Sequence, residues 1–244
     1  MKDKKQVSAE NSTENVKVTS KKVPFAVSEA YKSIRTNLVT NLDKNNKKLI
    51  AFSSPFASEG KSTTAINLAI SFAQLNKKVL LIDADAHRPT VHSKMKLKNE
   101  SGLLTVLSGE ISFEDAVQQY SPALDVLTSG ALVSNPTELL HSNALVELFD
   151  KVRGEYDYIL VDAPPVNLLS DAQIVAQRCD GMILLVRAGI TTHDALRRAL
   201  ANAQSLYIDV LGIILNGTDY GSKRYYSKYY NRYYNRYYNK YGKY

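Results

Sequence analysis

The most constraining feature of the sequence is an apolar run that leads through a polar loop into a helical pattern. The run covers Lys48–Ser53, and the loop after it ends in Gly60-Lys61-Ser62. Between a strand and a helix, such a loop presents backbone N–H groups and a helix N-terminus to an anion. We therefore predict a phosphate-binding loop in which Lys61 neutralises phosphate charge and the Ser62 hydroxyl binds Mg²⁺, whereas a turn that only caps a helix would not need the lysine. The residues predicted to contact the nucleotide here are Ala57, Ser58, Glu59, Gly60, Lys61, Ser62 and Thr63.

The rest of the chain alternates short β-branched runs with helical patterns. Most strand candidates are apolar throughout, which is typical of a parallel sheet covered on both faces. This alternation predicts a doubly wound α/β domain with a mostly parallel sheet, like that of P-loop NTPases, with ligands bound beyond the carboxyl ends of the strands. The predicted strands are Lys48–Ser53, Lys78–Asp83, Leu124–Thr128, Tyr158–Asp162, Met182–Arg187 and Val210–Asn216. The predicted helices are Ser28–Leu42 with Ser28 as N-cap, Ser62–Gln74, Leu139–Arg153, Asp171–Arg178 and Thr192–Leu206.

Carboxylates follow two of the predicted strands at the edge where ligands bind. Asp83 and Asp85 close the second strand, and Asp162 closes the fourth as a Walker-B-like aspartate. Carboxylates that leave apolar strands are costly to desolvate without a cation or a hydrogen-bond partner. Each alone is equally well explained as a solubilising strand end. Three of them beside a phosphate loop favour a site that holds Mg²⁺ and a substrate hydroxyl.

The net charge of +7 lies at the two ends of the chain. The last 24 residues contain seven Lys or Arg and no acid, so residues 1–220 carry no net charge. Residues 1–22 hold six Lys and three acids, which leaves residues 23–220 slightly acidic. This distribution argues against a nucleic-acid-binding domain with a generally basic surface.

Cys179 is the single cysteine, no apolar run reaches the ~18 residues that span a bilayer, and no secretory signal precedes the domain, so we expect a cytoplasmic protein.

The end of the sequence is a tyrosine-rich segment of low complexity. A four-residue repeat without aliphatic residues cannot build a core, so we expect this tail to be flexible. Aromatic residues interleaved with cations also suit stacking on single-stranded nucleic acid, which remains open on composition alone. Ten of the 16 tyrosines are in the tail: Tyr225, Tyr226, Tyr229, Tyr230, Tyr233, Tyr234, Tyr237, Tyr238, Tyr241 and Tyr244.

Together these features resemble the bacterial tyrosine kinases of capsule and exopolysaccharide synthesis, whose Walker A, A′ and B motifs lie in a P-loop fold. The resemblance extends over residues 23–244, nearly all of the chain outside the basic arm. Besides the loop, it is carried by Glu29–Leu38, Asp83–Asp85 with Arg88-Pro89-Thr90, Asn135–Leu140 and the tyrosine tail. It implies three segments: a disordered basic arm over 1–22, a P-loop tyrosine kinase domain over 23–220 and an autophosphorylation tail over 221–244.

The resemblance also implies a role for each site residue. Lys61 would bind phosphate of ATP, and Ser62, Asp85 and Asp162 would organise Mg²⁺. Asp83 would be the base that activates tyrosine, although the division of roles between Asp83 and Asp85 stays open. The tail tyrosines would be the substrate in place of a nucleic-acid contact, with phosphorylation in trans within an oligomer.

The phosphate loop and the A′ motif depart from the family pattern at three places. Pro55 replaces the first glycine of the phosphate loop, and Ala57-Ser58 replaces the usual Pro-Gly. In the A′ motif, His87 stands where the family has Arg, and the arginine is displaced to Arg88.

The first predicted helix carries a candidate subunit contact. The family's oligomerisation pattern of one Glu and two Arg is Glu29, Lys32 and Arg35 here, and Lys keeps the charge of Arg but not its bidentate geometry. From spacing alone, these residues are better explained as a solvated helix face with a weak ion pair. The resemblance favours a subunit contact in a ring-like homo-oligomer, with an octamer as the form that the family suggests.

Four other polar residues have open or structural interpretations. Asn216 ends the last predicted strand, where its amide could contact adenine or could form an Asn-Gly turn. We expect Glu59 to be solvent-exposed and structural. His87 and His92 lack the spacing of a helical metal site.

The predicted function is an ATP-dependent protein-tyrosine kinase that autophosphorylates its tail and regulates polysaccharide synthesis and export. The implied partners are further copies of the chain, a separate membrane-embedded activator that recruits the kinase to the membrane, and a tyrosine phosphatase. The alternatives are an ATPase of the chromosome- or division-site-positioning type and a non-catalytic ATP-binding scaffold. ATPases of the positioning type have a lysine at the position where this chain has Phe56.

Overall fold

A single mixed sheet organises the chain in the computed structural model, which describes residues 25–218. Its strands are β1 (Leu49–Ser53), β2 (Val79–Asp83), β3 (Gln118–Ser121), β4 (Leu124–Leu127), β5 (Tyr158–Asp162), β6 (Gly181–Arg187) and β7 (Val210–Asn216). Their order across the sheet is β3-β4-β2-β5-β1-β6-β7. Every neighbouring pair is parallel except β3 and β4. The predicted doubly wound, mostly parallel sheet is confirmed.

The helices lie on both faces of the sheet. They are α1 (Phe25–Lys44), α2 (Lys61–Ala73), α3 (Val91–Met95), α4 (Leu103–Leu107), α5 (Phe113–Ala116), α6 (Pro136–His141), α7 (Asn143–Glu155), α8 (Asp171–Gln177) and α9 (His193–Ser205). Side chains of β1 alternate between the two faces, so Ile50 and Phe52 pack with α1, α2 and α3. Leu49 and Ala51 face the other side, where α4 to α9 contribute to the packing. None of the helices within residues 25–218 has the length and apolarity needed to cross a bilayer.

Two helix predictions were wrong. α1 begins at Phe25, so Ser28 lies inside the helix and is not its N-cap. The single helix predicted over Leu139–Arg153 is two helices, because Ser142 has extended backbone between α6 and α7. Its hydroxyl donates to the carbonyl of Leu139, the kind of local bond that competes with helix continuation.

The elements missed by the sequence patterns are short. β3 is antiparallel, lies at the sheet edge and has no fully buried side chain, so it shows none of the apolar signal of the other strands. α3, α4 and α5 have four or five residues each, less than two helical turns.

The important consequence of the topology is that β1 lies between β5 and β6, with β2 next to β5. The carboxyl ends of these strands therefore meet at one edge, beside the first turn of α2.

Candidate active site

Gly60 gives the loop between β1 and α2 its shape. Its φ of 97° lies in the left-handed region that favours glycine. A Cβ at this position would lie 2.1 Å from Nδ2 of Asn216. The loop therefore requires glycine immediately before Lys61, the first residue of α2, in the stretch where the sequence predicts a phosphate-binding loop.

Glu59 is buried in the loop, so the expectation of solvent exposure was wrong. It is 1% exposed, and its Oε2 accepts from the backbone N–H of Phe56 at 2.9 Å. Its other carboxylate oxygen accepts from the Thr191 hydroxyl, in the segment after β6. The sequence could not show this, because the residue that covers Glu59 lies more than 130 residues away along the chain. Glu59 therefore ties the loop to a neighbouring strand end.

Two further side chains hold the same loop from the ends of β6 and β7. Asn216 Nδ2 donates to the carbonyl of Glu59 at 3.0 Å, and its Oδ1 accepts from the N–H of Gly217 at 2.8 Å. Arg187 donates to the carbonyl of Ser58 at 3.0 Å. The structure thus places Asn216 against the loop, with the nitrogen and the oxygen of its side-chain amide each hydrogen-bonded within the chain. Sequence reasoning missed Arg187 and Thr191, although Arg187 closes a predicted strand at the ligand edge.

Lys61 lies among the predicted carboxylates. Its Nζ is 2.6 Å from Oδ1 of Asp162 and 3.5 Å from Oδ2 of Asp85. Burial lowers the pKa of Lys61, but attraction to Asp162 and Asp85 outweighs this and raises the pKa above its usual value. Lys61 therefore stays charged, and the site brings together the lysine and the strand-end acids that the sequence singled out.

Asp83 is fully buried and held entirely by backbone N–H groups. Its Oδ1 accepts from Asp85 at 3.1 Å, and its Oδ2 accepts from Thr90 and Val91 at 3.1 and 3.0 Å. Burial and repulsion from Asp162 raise the pKa of Asp83 to about 7, against these hydrogen bonds. A carboxylate with a pKa near neutrality can accept a proton and release it again.

Asp162 has a buried carboxylate oxygen that lacks a partner in the described part of the chain. The side chain is fully buried, and among residues 25–218 its Oδ2 has no hydrogen-bond partner. Burial raises the pKa of Asp162, and the Lys61 ammonium offsets part of that rise. An unpartnered buried carboxylate oxygen is costly unless a cation or a donor satisfies it. The donor set of Asp162, Asp85 and the Ser62 hydroxyl is oxygen-only, which is the chemistry that Mg²⁺ prefers.

Known proteins share this sequence and fold over most of the chain. The family model described as AAA domain matches residues 47–206. The chain is 42% identical over 191 residues to tyrosine-protein kinase YwqD of Bacillus subtilis, covering 78% of this chain and 81% of that one. It is 35% identical over 207 residues to tyrosine-protein kinase CpsD of Streptococcus agalactiae, covering 82% and 90%.

The chain belongs to the bacterial tyrosine kinase family.

A solved structure supports the same assignment. The kinase domain of Escherichia coli tyrosine kinase ETK superimposes with a TM-score of 0.78 at 29% identity, covering 82% of this chain and 79% of that one. The chain is therefore a tyrosine-protein kinase with a nucleotide-binding P-loop fold. The predicted family, fold and enzyme class are confirmed.

The residues predicted to form the subunit contact lie in the described part of this tyrosine kinase, whereas the predicted phosphorylation sites do not. Lys32 and Glu29 form an exposed ion pair of 2.8 Å on α1, while Arg35 donates to the carbonyl of Ser71 on α2. All three thus have partners within the chain, and their role in a subunit contact stays a prediction. The ten predicted phosphorylation sites and the basic arm lie outside residues 25–218.

Proposed function

We propose that this tyrosine kinase uses ATP and Mg²⁺ to phosphorylate its own C-terminal tyrosine cluster, in trans within an oligomer, and thereby regulates capsular or extracellular polysaccharide synthesis and export. The observation that carries the proposal is the convergence of Lys61 with Asp83, Asp85 and Asp162 beside the phosphate loop. One cation among three acids leaves negative charge for a metal ion to neutralise. That arrangement suits transfer of a phosphoryl group better than binding alone.

The residues of the site divide the work of phosphoryl transfer between them. Ser62, Asp85 and Asp162 would hold Mg²⁺, which when bound would neutralise charge at the phosphates of ATP. The loop around Gly60 presents its backbone N–H groups to the phosphates, and Lys61 provides the fixed positive charge. Little covalent chemistry is left for the protein, so positioning of the acceptor hydroxyl decides the rate.

Asp83 is the base in this proposal. A tyrosine hydroxyl has an ordinary pKa near 10 and is a weak nucleophile at neutral pH until a carboxylate accepts its proton. Asp83, with its pKa raised to about 7 by burial and by Asp162, is suited to that task. Asp85, whose Oδ2 lies toward Lys61, is assigned to the metal. This division is our proposal for the roles that the sequence left open.

The tail is the proposed acceptor because it is rich in tyrosine and follows the last strand of the domain. A fully extended segment of 24 residues reaches about 80 Å, enough to enter the site of a neighbouring subunit. Each phosphotyrosine adds about −1.5 to −2 charge, so roughly four would cancel the seven tail cations. Phosphorylation would therefore reverse the charge of the tail and weaken an assembly that depends on it.

Incubation with γ-labelled ATP and Mg²⁺ tests the function. Label on tail tyrosines supports the kinase, free phosphate alone would indicate an ATPase, and neither product would indicate a scaffold. Transfer in trans is tested by mixing K61M protein that has the intact tail with active protein in which all ten tail tyrosines are Phe. Phosphate on the K61M chain supports the proposal, and none on that chain contradicts transfer in trans.

The proposed partners follow from the family. We infer a ring-like homo-oligomer, a membrane-embedded activator that recruits the kinase to the inner face of the membrane, and a phosphatase that removes the tail phosphates. Adding the cytosolic segment of a candidate activator should raise the rate of labelling. An unchanged rate would exclude that candidate as the activator.

A further inference from the structure

Asp171 is a buried carboxylate near the site that the proposed mechanism does not use. It is the first residue of α8 and is 1% exposed. Its Oδ1 accepts from the Thr137 hydroxyl on α6, and its Oδ2 is 2.9 Å from Nε2 of His87, in the segment after β2. A carboxylate can only accept, so Nε2 of His87 carries the hydrogen in this contact. Asp171 thus joins three separate parts of the chain.

The segment that follows β2 and contains His87 also donates backbone hydrogen bonds to the two A′ carboxylates, Asp83 and Asp85. The backbone N–H of Arg88 donates to Oδ1 of Asp85 at 3.0 Å. The N–H groups of Thr90 and Val91 donate to Oδ2 of Asp83. A shift of this segment would therefore move Asp83, the proposed base, and Asp85, a proposed metal ligand, together.

His87 is the point at which this segment is tied to another element. Of residues 86–90, all within the described part of the chain, His87 alone hydrogen-bonds to another element through its side chain. Its imidazole is 41% exposed, so burial does little to fix it, whereas its partner Asp171 is buried at 2% side-chain exposure. The carboxylate of Asp171 is thus the side-chain anchor of this segment.

We propose that Asp171 is a positioning residue for phosphoryl transfer, acting through His87 on the segment that orients Asp83 and Asp85. A buried carboxylate is costly to desolvate, and Thr137 and His87 are the side chains that satisfy it. Arginine, the family residue at this position, offers N–H donors as histidine does, so either side chain can donate to a carboxylate. This inference rests on the proposed reaction at the same site.

The test compares ADP release in the full-length protein across four variants. D171N and H87L should each lower kcat about 10- to 100-fold with KM for ATP within about twofold, because the phosphate loop is held by other residues. H87R should keep kcat within about twofold of the wild type. T137V, which removes only the contact to α6, should have a smaller effect than D171N. ADP release reports turnover whichever tyrosine accepts the phosphate, and phosphotyrosine measured in the same reactions separates transfer from ATP hydrolysis.

D43N is the matched control, because Asp43 on α1 likewise accepts a side-chain hydrogen bond, from the Tyr158 hydroxyl at 2.6 Å. It should alter thermal stability without changing kcat. A wild-type kcat in both D171N and H87L would overturn the positioning role, as would an H87R variant as impaired as H87L. If D171N does not fold, the kcat of H87L compared with that of H87R decides whether the positioning role holds. Absence of phosphotyrosine in the wild-type reaction, with or without ADP release, would instead contradict the proposed function.

Discussion

The ammonium of Lys61 and the carboxylate of Asp162 lie 2.6 Å apart, and both side chains are more than nine-tenths buried. Buried ion pairs contribute little net stability, but removing one partner leaves a charge without compensation. Lys61 belongs to the helix after β1 and Asp162 to the end of β5, so parallel pairing of these two strands brings the charges together. The same contact therefore links the packing of β1 and β5 to the proposed reaction.

K61M should abolish tyrosine phosphorylation and also destabilise the protein. Asp162 would lose its charged partner in a fully buried position, at a cost of about 3 kcal/mol in the free energy of unfolding. Adding D162N should recover much of that loss without restoring activity, because it removes the unpaired charge. Urea unfolding of the single and double variants gives the coupling energy. Equal stability of K61M and wild type would contradict this account of the pair.

D83N should retain nucleotide binding and lose phosphoryl transfer by a factor of about 10² to 10⁴. The amide cannot accept the tyrosine proton, whereas the phosphate loop is built from other residues. Phosphotyrosine is measured by mass spectrometry and nucleotide affinity by calorimetry.

The control is D125N on β4, where Asp125 accepts from the Tyr156 hydroxyl at 2.8 Å, outside the group of carboxylates around Lys61. It should phosphorylate at the wild-type rate. Normal phosphotyrosine in D83N would refute the assignment of the base.

N216A distinguishes the two interpretations of Asn216. The side-chain nitrogen of Asn216 is bonded to Glu59 and its side-chain oxygen to Gly217, so we expect the variant to loosen the phosphate loop. The affinity for ATP, for GTP and for inorganic triphosphate should then fall by a similar factor, about 3- to 10-fold, for the loss of one hydrogen bond. A selective loss for ATP would show instead that Asn216 contacts adenine.

Acid should weaken the fold at the opposite edge of the sheet, through Asp180. Partial burial raises the pKa of this carboxyl, but the N–H groups of Leu49 and Lys48 and the guanidinium of Arg153 outweigh it and hold the pKa below its usual value. The stabilisation is therefore complete above the ordinary aspartate pKa of about 4 and is lost as the pH falls through the folded pKa.

The measurement is the free energy of unfolding of wild type and D180N between pH 3 and pH 7. At neutral pH the variant should be less stable by about 1 to 2 kcal/mol, as expected for hydrogen bonds to a charged group. The difference should shrink below about pH 4. A difference that does not change with pH would contradict the proposed contribution of the charge.

Most of the sheet could be predicted because its strands carry their own signal. The runs that end at Ser53, Asp83 and Asp162 are buried on both faces, and an apolar run in the sequence follows directly from that burial. β3 is only partly covered at the sheet edge and has no such run. The break at Ser142 was missed because the apolar spacing continues across it.

The sequence alone determined the P-loop fold, the phosphate loop around Lys61 and the acids at the strand ends, because each depends on residues close together in the chain. The tertiary structure decided the burial of Glu59, the packing of Asn216 on the turn at Gly60 and the contact of Asp171 with His87. Asn216 and Glu59 are 157 residues apart, and no local period connects them. The contacts of Glu59 and Asn216 exist only once the strand order places the ends of β1, β6 and β7 side by side, and that of Asp171 with His87 only once β2 lies next to β5.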